Sequence, residues 1–362
     1  MEKYRRDLHK IPELGFNEFK TKEYILSCIK SSLFRVIEIG QTSFGVYFDF
    51  NKENTICFRS ELDALPIEEK NDVEYKSSHQ NMMHACGHDG HMAILISLIN
   101  DLENQIIKPM SNILFLFQAS EEIYGGSLEI IKSGILSKLN VNEIYALHIW
   151  PCLPKGKIYT KKDEILAKST EFDIDIRGKN TNVACFKNGK DALSIGVELL
   201  HDIKKETRLI TSSIVHVGEL YSIGQRNIVC DNFSCKGTIR TFSLSTLDRI
   251  CNIISRWVNF YKEVYDIQID LNINSNNQSV CNNNELVEKS YAYGVEELDD
   301  PYFNSEDFSL YLQNIPGVFF LLGAGEVPPL HSSNFNFNED ILQKGKELFR
   351  NLMMKQFEYE VA

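Results

Sequence analysis

The first half of the chain alternates short apolar runs with longer segments of helical spacing. The apolar runs, rich in β-branched and aromatic residues, are GVYFDF (45–50), TICFRS (55–60), NILFLF (112–117) and EIYALHI (143–149). Helical spacing covers 18–32, 91–102 and 125–136, and the last two segments lie between successive runs. Because strands that alternate with helices form βαβ units, we predict a mostly parallel sheet with helices on both faces.

After about residue 168 the spacing changes to that of a smaller α+β unit. The elements predicted there are strands at 172–178, 212–218, 232–242 and 267–273, and helices near 190–204 and 245–262. The polar stretch NSNNQSVCNNN (274–284) is typical of a linker that leads out of this unit. We therefore predict an α/β protein with a doubly wound, mostly parallel sheet. Its larger domain comprises 1–168 and 279–362, and a smaller α+β domain is inserted at 169–278.

Composition and charge restrict the classes of partner. The chain of 362 residues is 43% hydrophobic and 24% charged, with a formal net charge of −12. An acidic protein is poorly suited to nucleic acid phosphates and anionic membrane surfaces, and no run approaches the roughly 20 apolar residues of a membrane span. The opening segment lacks the apolar core of a secretory signal, and the nine cysteines are scattered, as reduced thiols are. We expect a cytoplasmic protein that binds small molecules, and neither nucleic acid nor membranes.

Acidic residues and a histidine stand at the ends of three apolar runs. These residues are Glu61 and Asp63 after TICFRS, the pair Glu121–Glu122 after NILFLF, and His148 at the end of the fourth run. In an open parallel sheet, ligands bind outside the carboxyl ends of the strands. We therefore expect these side chains to lie along one edge of the sheet. An adjacent pair of glutamates is more often a solvated surface feature, but its position at the end of a buried strand argues against that interpretation.

The stretch MMHACGHDGHMA (82–93) holds three of the nine histidines. Thiolate, imidazole and carboxylate together suit a borderline divalent ion such as zinc. We predict that Cys86 and His88 reach such an ion from a loop, with Gly87 giving the backbone freedom to aim them. The alternative is that Cys86 is only a small buried hydrophobe. His84 and His91 are predicted to pack or to support the ligands.

The adjacent glutamates add a possible proton carrier to this metal site. One carboxylate of the pair can bind metal while its neighbour takes a proton from a water molecule that the metal activates. A zinc nucleobase deaminase would need a P-C-x-x-C segment after the histidine cluster, and the sequence has none. The residues alone thus favour metal-assisted hydrolysis.

These residues belong to motifs spread over nearly the whole chain. In chain order the motifs are RRDLHKIPELGFNEFKT (5–21), RSELDALPIEE (59–69), MHACGHDGH (83–91), FQASEE (117–122), ALHIWPCLPKG (146–156), GTIRTF (237–242), NSEDFS (304–309) and PPLHSSNFNFNED (328–340). The series resembles the M20 family of metallopeptidases, in the amidohydrolase branch that includes hippurate hydrolases, auxin-conjugate hydrolases and N-acetyldiaminopimelate deacetylases. The resemblance implies that the larger domain is catalytic and that the inserted one is a lid through which two copies form a homodimer.

The resemblance also implies a cofactor and a set of site residues. The cofactor would be two divalent metal ions (zinc, manganese or cobalt), and their ligands would be Cys86, His88, Glu122, His148 and His331. Glu121 would be the general base, and Asp63 would orient a metal-binding imidazole. Asn227 and Arg240 would face the substrate, since an arginine pairs with a carboxylate through two hydrogen bonds.

Several positions depart from the family pattern, among them FQASEE (117–122) and RNIVCDN (226–232), and Asn182 is the main departure. The lid segment GKNTNVAC (178–185) carries Asn182 where the branch usually has a histidine that helps hold the substrate carboxylate or the developing oxyanion. Removing one such donor can lower turnover by roughly 10²–10³. Asn182 therefore predicts a retained neutral donor, an altered specificity or a weak activity. Glu61 replaces the usual aspartate, and no metal ligand is lost.

The leading hypothesis is a metal-dependent amide hydrolase that removes an N-acyl group from an amino acid. The N-terminal block and the stretch VEYKS (73–77) are most similar to the N-acetyldiaminopimelate deacetylases of lysine biosynthesis. The alternatives are a general aminoacylase, a hippurate hydrolase or a dipeptidase of the same branch. An alternative of another class is a metal-binding relative with weak activity. Asn182, which replaces the usual histidine, is the reason to consider it.

Overall fold

The computed structural model describes residues 1–29, 33–104, 109, 111–123, 125–275 and 277–354. The chain divides into two compact units. The first unit comprises Met1–Ile165, Cys281–Asp300 and Asp307–Ala362, and the second comprises Leu166–Val280 and Pro301–Glu306. The role of the second unit as a lid and dimerisation domain stays a prediction.

The described residues form fourteen β-strands and nine α-helices. The strands are β1 (Phe34–Glu38), β2 (Phe44–Phe48), β3 (Thr55–Glu61), β4 (Asn112–Gln118), β5 (Val141–Pro151), β6 (Ile158–Thr160), β7 (Asp163–Leu166), β8 (Lys168–Arg177), β9 (Ser213–Tyr221), β10 (Asn232–Thr241), β11 (Gln268–Ser275), β12 (Val280–Asn282), β13 (Val295–Glu297) and β14 (Gly317–Gly325). The α-helices are α1 (Glu2–His9), α2 (Phe19–Cys28), α3 (His88–Glu103), α4 (Gly126–Lys132), α5 (Ile135–Lys138), α6 (Ala192–Thr207), α7 (Leu244–Tyr265), α8 (Asn284–Ser290) and α9 (Leu342–Met354).

The first unit is built on a large sheet. In the described part of the chain its strand order is β1-β2-β4-β3-β5-β14-β6-β13. At its centre, β3 pairs in parallel with both β4 and β5, and β5 pairs in parallel with β14. The predicted α/β class with a mostly parallel sheet is therefore confirmed.

Burial explains why the central strands are so apolar. Every residue of β3 and β4 is buried, so their sequences are nearly continuous apolar runs instead of alternating ones. The helix α3 packs into the same core, where Ile94 and Leu98 join Phe58 and Phe115. This packing fixes the carboxyl ends of β3, β4 and β5 beside one another.

Some predicted elements differ from those observed. The apolar run at 45–50 forms β2, which pairs antiparallel with β4. Residues 49–54, which connect β2 to β3, are too few for the crossover helix that two parallel strands would need. The helix predicted at 125–136 is divided into α4 and α5 by Gly134, whose φ of 68° is left-handed. The helix predicted at 18–32 ends at Cys28, and residues 30–32 lie outside the described residues.

The second unit has an antiparallel sheet with the strand order β11-β8-β10-β9. The helices α6 and α7 contribute Leu199 and Ile254 to an apolar core that also contains Ile174 and Phe233 from the sheet. The segment predicted as a linker at 274–284 is partly strand, since β11 extends to Ser275 and β12 begins at Val280. Among the described helices, none combines the length and the apolar character needed to cross a membrane.

A buried ionic cluster attaches α1 to the start of α3. Both Arg5 and His9 of α1 contact Asp89, at 3.1 Å from the Arg5 Nε and 2.8 Å from the His9 Nδ1. The other ring nitrogen of His9 lies 3.1 Å from Glu69. Burial lowers the pKa of His9, but the hydrogen bonds with Asp89 and Glu69 outweigh it and raise that pKa to about 9. Because both ring nitrogens face carboxylates, the ring carries both protons at neutral pH.

We expect His9 to make the free energy of unfolding depend on pH in the alkaline range. A histidine whose folded pKa is about 9, above the unfolded 6.5, stabilises fully below pH 6.5 and loses that contribution as the pH rises through about 9. The free energy of unfolding should therefore fall over this range in the wild type, and fall less in His9→Gln. Urea unfolding at several pH values measures both. Equal slopes for the two proteins would contradict the cluster's role.

Candidate metal centre

The segment before α3 positions two of the predicted ligands. Gly87 has a left-handed φ of 87° and precedes the helix, so Cys86 lies just outside α3. His88, predicted on a loop, is instead the first residue of the helix. Asp89 in the first turn explains the early start, because a carboxylate is favourable beside the exposed N–H groups of a helix N-terminus.

Cys86, His88 and His148 form a buried cluster of three ligand atoms, which lie within 4.8 Å of one another. The Cys86 Sγ is 3.3 Å from the Nε2 of His148, which stands on β5. Imidazole and thiolate together suit a zinc-like ion.

Backbone carbonyl groups fix the tautomers of both imidazoles in this cluster. The Nδ1 of His88 lies 2.8 Å from the carbonyl oxygen of Asp63, and the Nδ1 of His148 lies 2.7 Å from that of Ile149. A carbonyl oxygen only accepts, so each Nδ1 donates its proton, and each ring in its neutral form presents an Nε2 lone pair. An imidazole in this tautomer can bind a metal ion through Nε2.

Cys86, Glu122 and His331 form a second cluster of three, also within 4.8 Å of one another. The Nε2 of His331 lies 3.3 Å from both the Cys86 Sγ and the Glu122 Oε1. His331 is half-exposed and has a left-handed φ of 62°, and its backbone N–H donates to the carbonyl of Ala85. The Cys86 Sγ therefore belongs to both clusters.

The remaining two site residues of the first unit lie beside these clusters. A carboxylate oxygen of Glu121 lies within 4.8 Å of ligand atoms of His88 and Glu122. One oxygen of Asp63 accepts the backbone N–H of Glu122 at 2.9 Å, and the other lies 3.6 Å from the His88 Nδ1. The structure thus brings together all seven residues of the first unit that the sequence analysis selected.

The electrostatics of the two clusters favour a cation. Burial raises the pKa of the Cys86 thiol, and Glu122 and Glu121 raise it further. Burial lowers the pKa of His88, but the hydrogen bond with Asp63 and the charges of Glu61 and Glu122 raise it to about 10. The carboxylates that favour a proton on the Nε2 of His88 equally favour a metal ion at that position.

Two unsatisfied atoms test whether the residues fit a metal. The Nε2 of His88 and the Oε1 of Glu122 are buried and accept or donate no hydrogen bond among the described residues, although the His331 Nε2 lies 3.3 Å from that oxygen. Burying such atoms without a partner is costly. Both point into clusters where a divalent ion would provide that partner, so the donor set and its geometry fit metal ligation.

A network of buried hydrogen bonds supports the two clusters. The Nε2 of His91 accepts the backbone N–H of Ile149 at 2.9 Å, and its Nδ1 therefore donates to Glu61 at 2.8 Å. Arg59 donates to Glu61 and, at 2.8 Å, to Asp307. Both nitrogens of His91 are thereby occupied, so His91 holds the strand beside His148 instead of presenting a lone pair.

Two supporting side chains were not singled out from the sequence. Ser43 and Glu18 accept the backbone N–H groups of Ala119 and Ser120, immediately before Glu121. Glu18 lies in the motif 5–21, which the sequence analysis used only as a sign of family resemblance. The burial of its carboxylate would have identified Glu18 as a supporting residue. Burial cannot be read from the sequence before the fold is known.

The other predicted residues lie in the second unit. The Asn182 Oδ1 accepts the N–H of Ala184 and so caps a short 3₁₀ turn at Val183–Asn188. Asn227 is exposed, and its carbonyl accepts the N–H of Val183. Arg240 on β10 is half-buried, and burial lowers the pKa of its guanidinium. Among the described residues no hydrogen bond or ion pair reaches that guanidinium, and the charge of Glu171 raises its pKa.

Comparison with known proteins agrees with this geometry. The profile of "Peptidase family M20/M25/M40" matches residues 57–355. An N-acetyldiaminopimelate deacetylase from Anoxybacillus flavithermus is 32% identical over 357 residues, which are 95% of this chain and 94% of that protein. A second protein of that name, from Halalkalibacterium halodurans, is 32% identical over 351 residues, which are 93% of this chain and 94% of that protein.

Solved structures share the fold. A structure from methicillin-resistant Staphylococcus aureus has a TM-score of 0.89 and 26% identity, covering 97% of this chain and 94% of the other. A Bacillus subtilis protein, described as a dinuclear metal binding peptidase of the M20 family, has a TM-score of 0.87 and 24% identity. The aligned region covers 99% of this chain and 97% of the Bacillus subtilis chain.

The chain belongs to Peptidase family M20/M25/M40. The family predicted from the motifs is thus confirmed, and with it the enzyme class. The protein is a hydrolase that acts on amide bonds.

Proposed function

We propose that this protein removes the N-acyl group from an N-acyl amino acid, with N-acetyl-diaminopimelate as the substrate and acetate and diaminopimelate as the products. Relatives named for this deacetylation match nearly the whole chain and support the choice of substrate. The observation that carries the chemistry is the pair of ligand clusters that share Cys86, with Glu121 beside them. In this proposal the reaction belongs to lysine biosynthesis.

The clusters would hold two divalent ions, one at Cys86, His88 and His148 and the other at Cys86, Glu122 and His331. Zinc, manganese and cobalt all accept this mixture of thiolate, imidazole and carboxylate. When bound, such ions supply Lewis acidity: they lower the pKa of water towards about 7 and polarise the amide carbonyl.

The residues of the chain supply the proton transfers. Glu121 takes a proton from the attacking water as the water oxygen bonds to the carbonyl carbon. The same carboxyl then delivers that proton to the amide nitrogen as the carbon–nitrogen bond breaks, so the amine leaves neutral and Glu121 returns to its starting state. Asp63 holds the backbone of Glu122 and faces the His88 ring, which keeps both ligands in place.

The second unit would recognise the substrate. The guanidinium of Arg240 has its paired donors available for a substrate carboxylate. Asn182 and Asn227 carry neutral amide groups suited to the same task. The second unit would also form the homodimer that the family resemblance implies.

Asn182 supports a second candidate, a metal-binding relative with weak hydrolytic activity. Its Oδ1 is occupied by the N–H of Ala184, which leaves the amide NH₂ as its available donor. A general aminoacylase, a hippurate hydrolase or a dipeptidase is the corresponding alternative among enzymes.

Glu121→Gln should abolish most of the activity without loss of metal. A glutamine cannot accept the proton of water, and general-base catalysis is worth about 10²–10⁴-fold in rate. The measurement is kcat/KM of metal-loaded protein on N-acetyl-diaminopimelate, hippurate, N-acetylcysteine and dipeptides. The exposed Glu285→Gln is the matched control and should behave as wild type. A wild type that releases no amine from any of these substrates would refute the proposed function.

Cys86→Ala should reduce both metal equivalents, whereas His331→Ala should reduce only one. The reason is that the Cys86 Sγ belongs to both clusters and the His331 imidazole to one. Metal analysis after dialysis against a fixed free metal concentration measures the stoichiometry. The exposed Cys152→Ala and His201→Ala are the matched controls. Two tightly bound equivalents in Cys86→Ala would rule out the shared thiolate.

Asn182→His decides between the two candidates. If Asn182 already acts as a neutral donor, the change should alter kcat/KM by less than about tenfold. A gain of about 10²–10³-fold would match the restoration of a missing oxyanion or carboxylate donor, and would favour the weakly active relative. Lys187→His, on the same exposed turn, is the matched control.

A further inference from the structure

The turn after β4 adopts an uncommon backbone conformation immediately before the two glutamates. Ser120 has a left-handed φ of 49°. Residues other than glycine adopt this region at an energetic cost and stay there only where their surroundings fix them. The Ser120 hydroxyl is buried without a hydrogen-bond partner among the described residues, so its own side chain does not stabilise the turn.

A distant carboxylate fixes this turn. Glu18, which directly precedes α2, is fully buried, and its Oε1 accepts the backbone N–H of Ser120 at 2.9 Å. Its Oε2 accepts the hydroxyl of Thr42 at 2.6 Å. Burial raises the pKa of Glu18. Each oxygen of this carboxylate thus has a donor from a distant part of the chain.

The neighbouring N–H groups are held in the same way. The N–H of Ala119 donates to the Ser43 hydroxyl at 3.0 Å, and the N–H of Glu122 donates to Asp63 at 2.9 Å. The ladder of β4 has ended at Gln118, so side chains replace strand pairing along this stretch. Ser120 is the strained member of the three, and its N–H is held by Glu18.

We propose that Glu18 is a positioning residue for the active glutamates. By accepting the Ser120 N–H, it holds the left-handed conformation that sets the directions in which Glu121 and Glu122 leave the turn. Its effect on catalysis rests on the proposed function, whereas its effect on the backbone does not. Glu18 touches neither substrate nor metal in this role.

The first test compares Glu18→Ala with Glu18→Gln. Alanine leaves the Ser120 N–H without an acceptor. Glutamine keeps both bonds, because its Oε1 accepts from Ser120 and its NH₂ donates to the Thr42 oxygen once that hydroxyl rotates. Since a misplacement of 1 Å can cost about 10²-fold in rate, we expect kcat to fall about 10²-fold in Glu18→Ala with little change in KM. Glu18→Gln should recover most of this loss.

A second substitution makes the test specific to the backbone. Glycine adopts positive φ without strain, and Ser120→Gly removes a hydroxyl that has no hydrogen bond. The double variant Ser120→Gly/Glu18→Ala should therefore regain part of the kcat that Glu18→Ala loses. A purely structural role would leave kcat per metal-loaded molecule unchanged in Glu18→Ala, with nothing to rescue.

Glu13 provides the matched control. This carboxylate lies in the same segment and also accepts a backbone N–H and a hydroxyl, both from Thr21. Its described hydrogen bonds do not reach the turn after β4. Glu13→Ala should therefore lower stability without changing kcat or the exchange of the Ser120 amide.

A readout independent of activity separates this proposal from the proposed function. Hydrogen exchange of the peptide spanning 118–123 should show faster exchange of the Ser120 amide in Glu18→Ala, and wild-type exchange in Glu18→Gln. If Glu18→Ala does not fold, Glu18→Asp, which shortens the reach by one methylene, should show the same change. Wild-type exchange and wild-type kcat in the folded variant would overturn the positioning role. An inactive wild type with the expected exchange would refute only the proposed function.

Discussion

The structure of the candidate site depends on the contact of one buried thiol with two imidazoles. The Cys86 Sγ lies 3.3 Å from the Nε2 of His148 and equally far from that of His331. Glu121 and Glu122 lie close by and oppose ionisation of the thiol, since they raise its pKa. A buried group of like-charged ligands is unstable unless a cation neutralises it. The two clusters are therefore suited to hold positive charge.

The sheet explains how distant parts of the chain reach this place. The strands β4, β3 and β5 are neighbours at the centre of the sheet, and β3 is parallel to both of the others. Their carboxyl ends therefore lie at one edge. The turn after β4 supplies Glu121 and Glu122, the segment after β3 supplies Asp63, and β5 itself carries His148. The segment before α3 adds Cys86, the first residue of α3 adds His88, and His331 comes from the segment that follows β14.

The sequence could predict those residues whose position follows from topology. Apolar runs mark β3, β4 and β5, and the rule for parallel sheets then places their carboxyl ends together. His331 was predictable only through family resemblance, because its left-handed backbone and its hydrogen bond to Ala85 depend on long-range contacts. The antiparallel course of β2 and the helical start at His88 depend on local lengths and capping. Glu18 was missed because its burial is a property of the folded chain.

The departure from the family pattern at Glu61 falls on a residue that supports the ligands without being one of them. One Glu61 oxygen faces Arg59, while the other faces the Nδ1 of His91 at 2.8 Å. His91 in turn accepts the N–H of Ile149, next to His148. Glutamate has one methylene more than the usual aspartate. It can still bridge a guanidinium and an imidazole if the surrounding backbone and side chains shift by less than the length of that methylene. The metal ligands have no such freedom, because a divalent ion requires its donors at fixed distances. Variation is therefore expected among the groups that hold the ligands before it is expected among the ligands themselves.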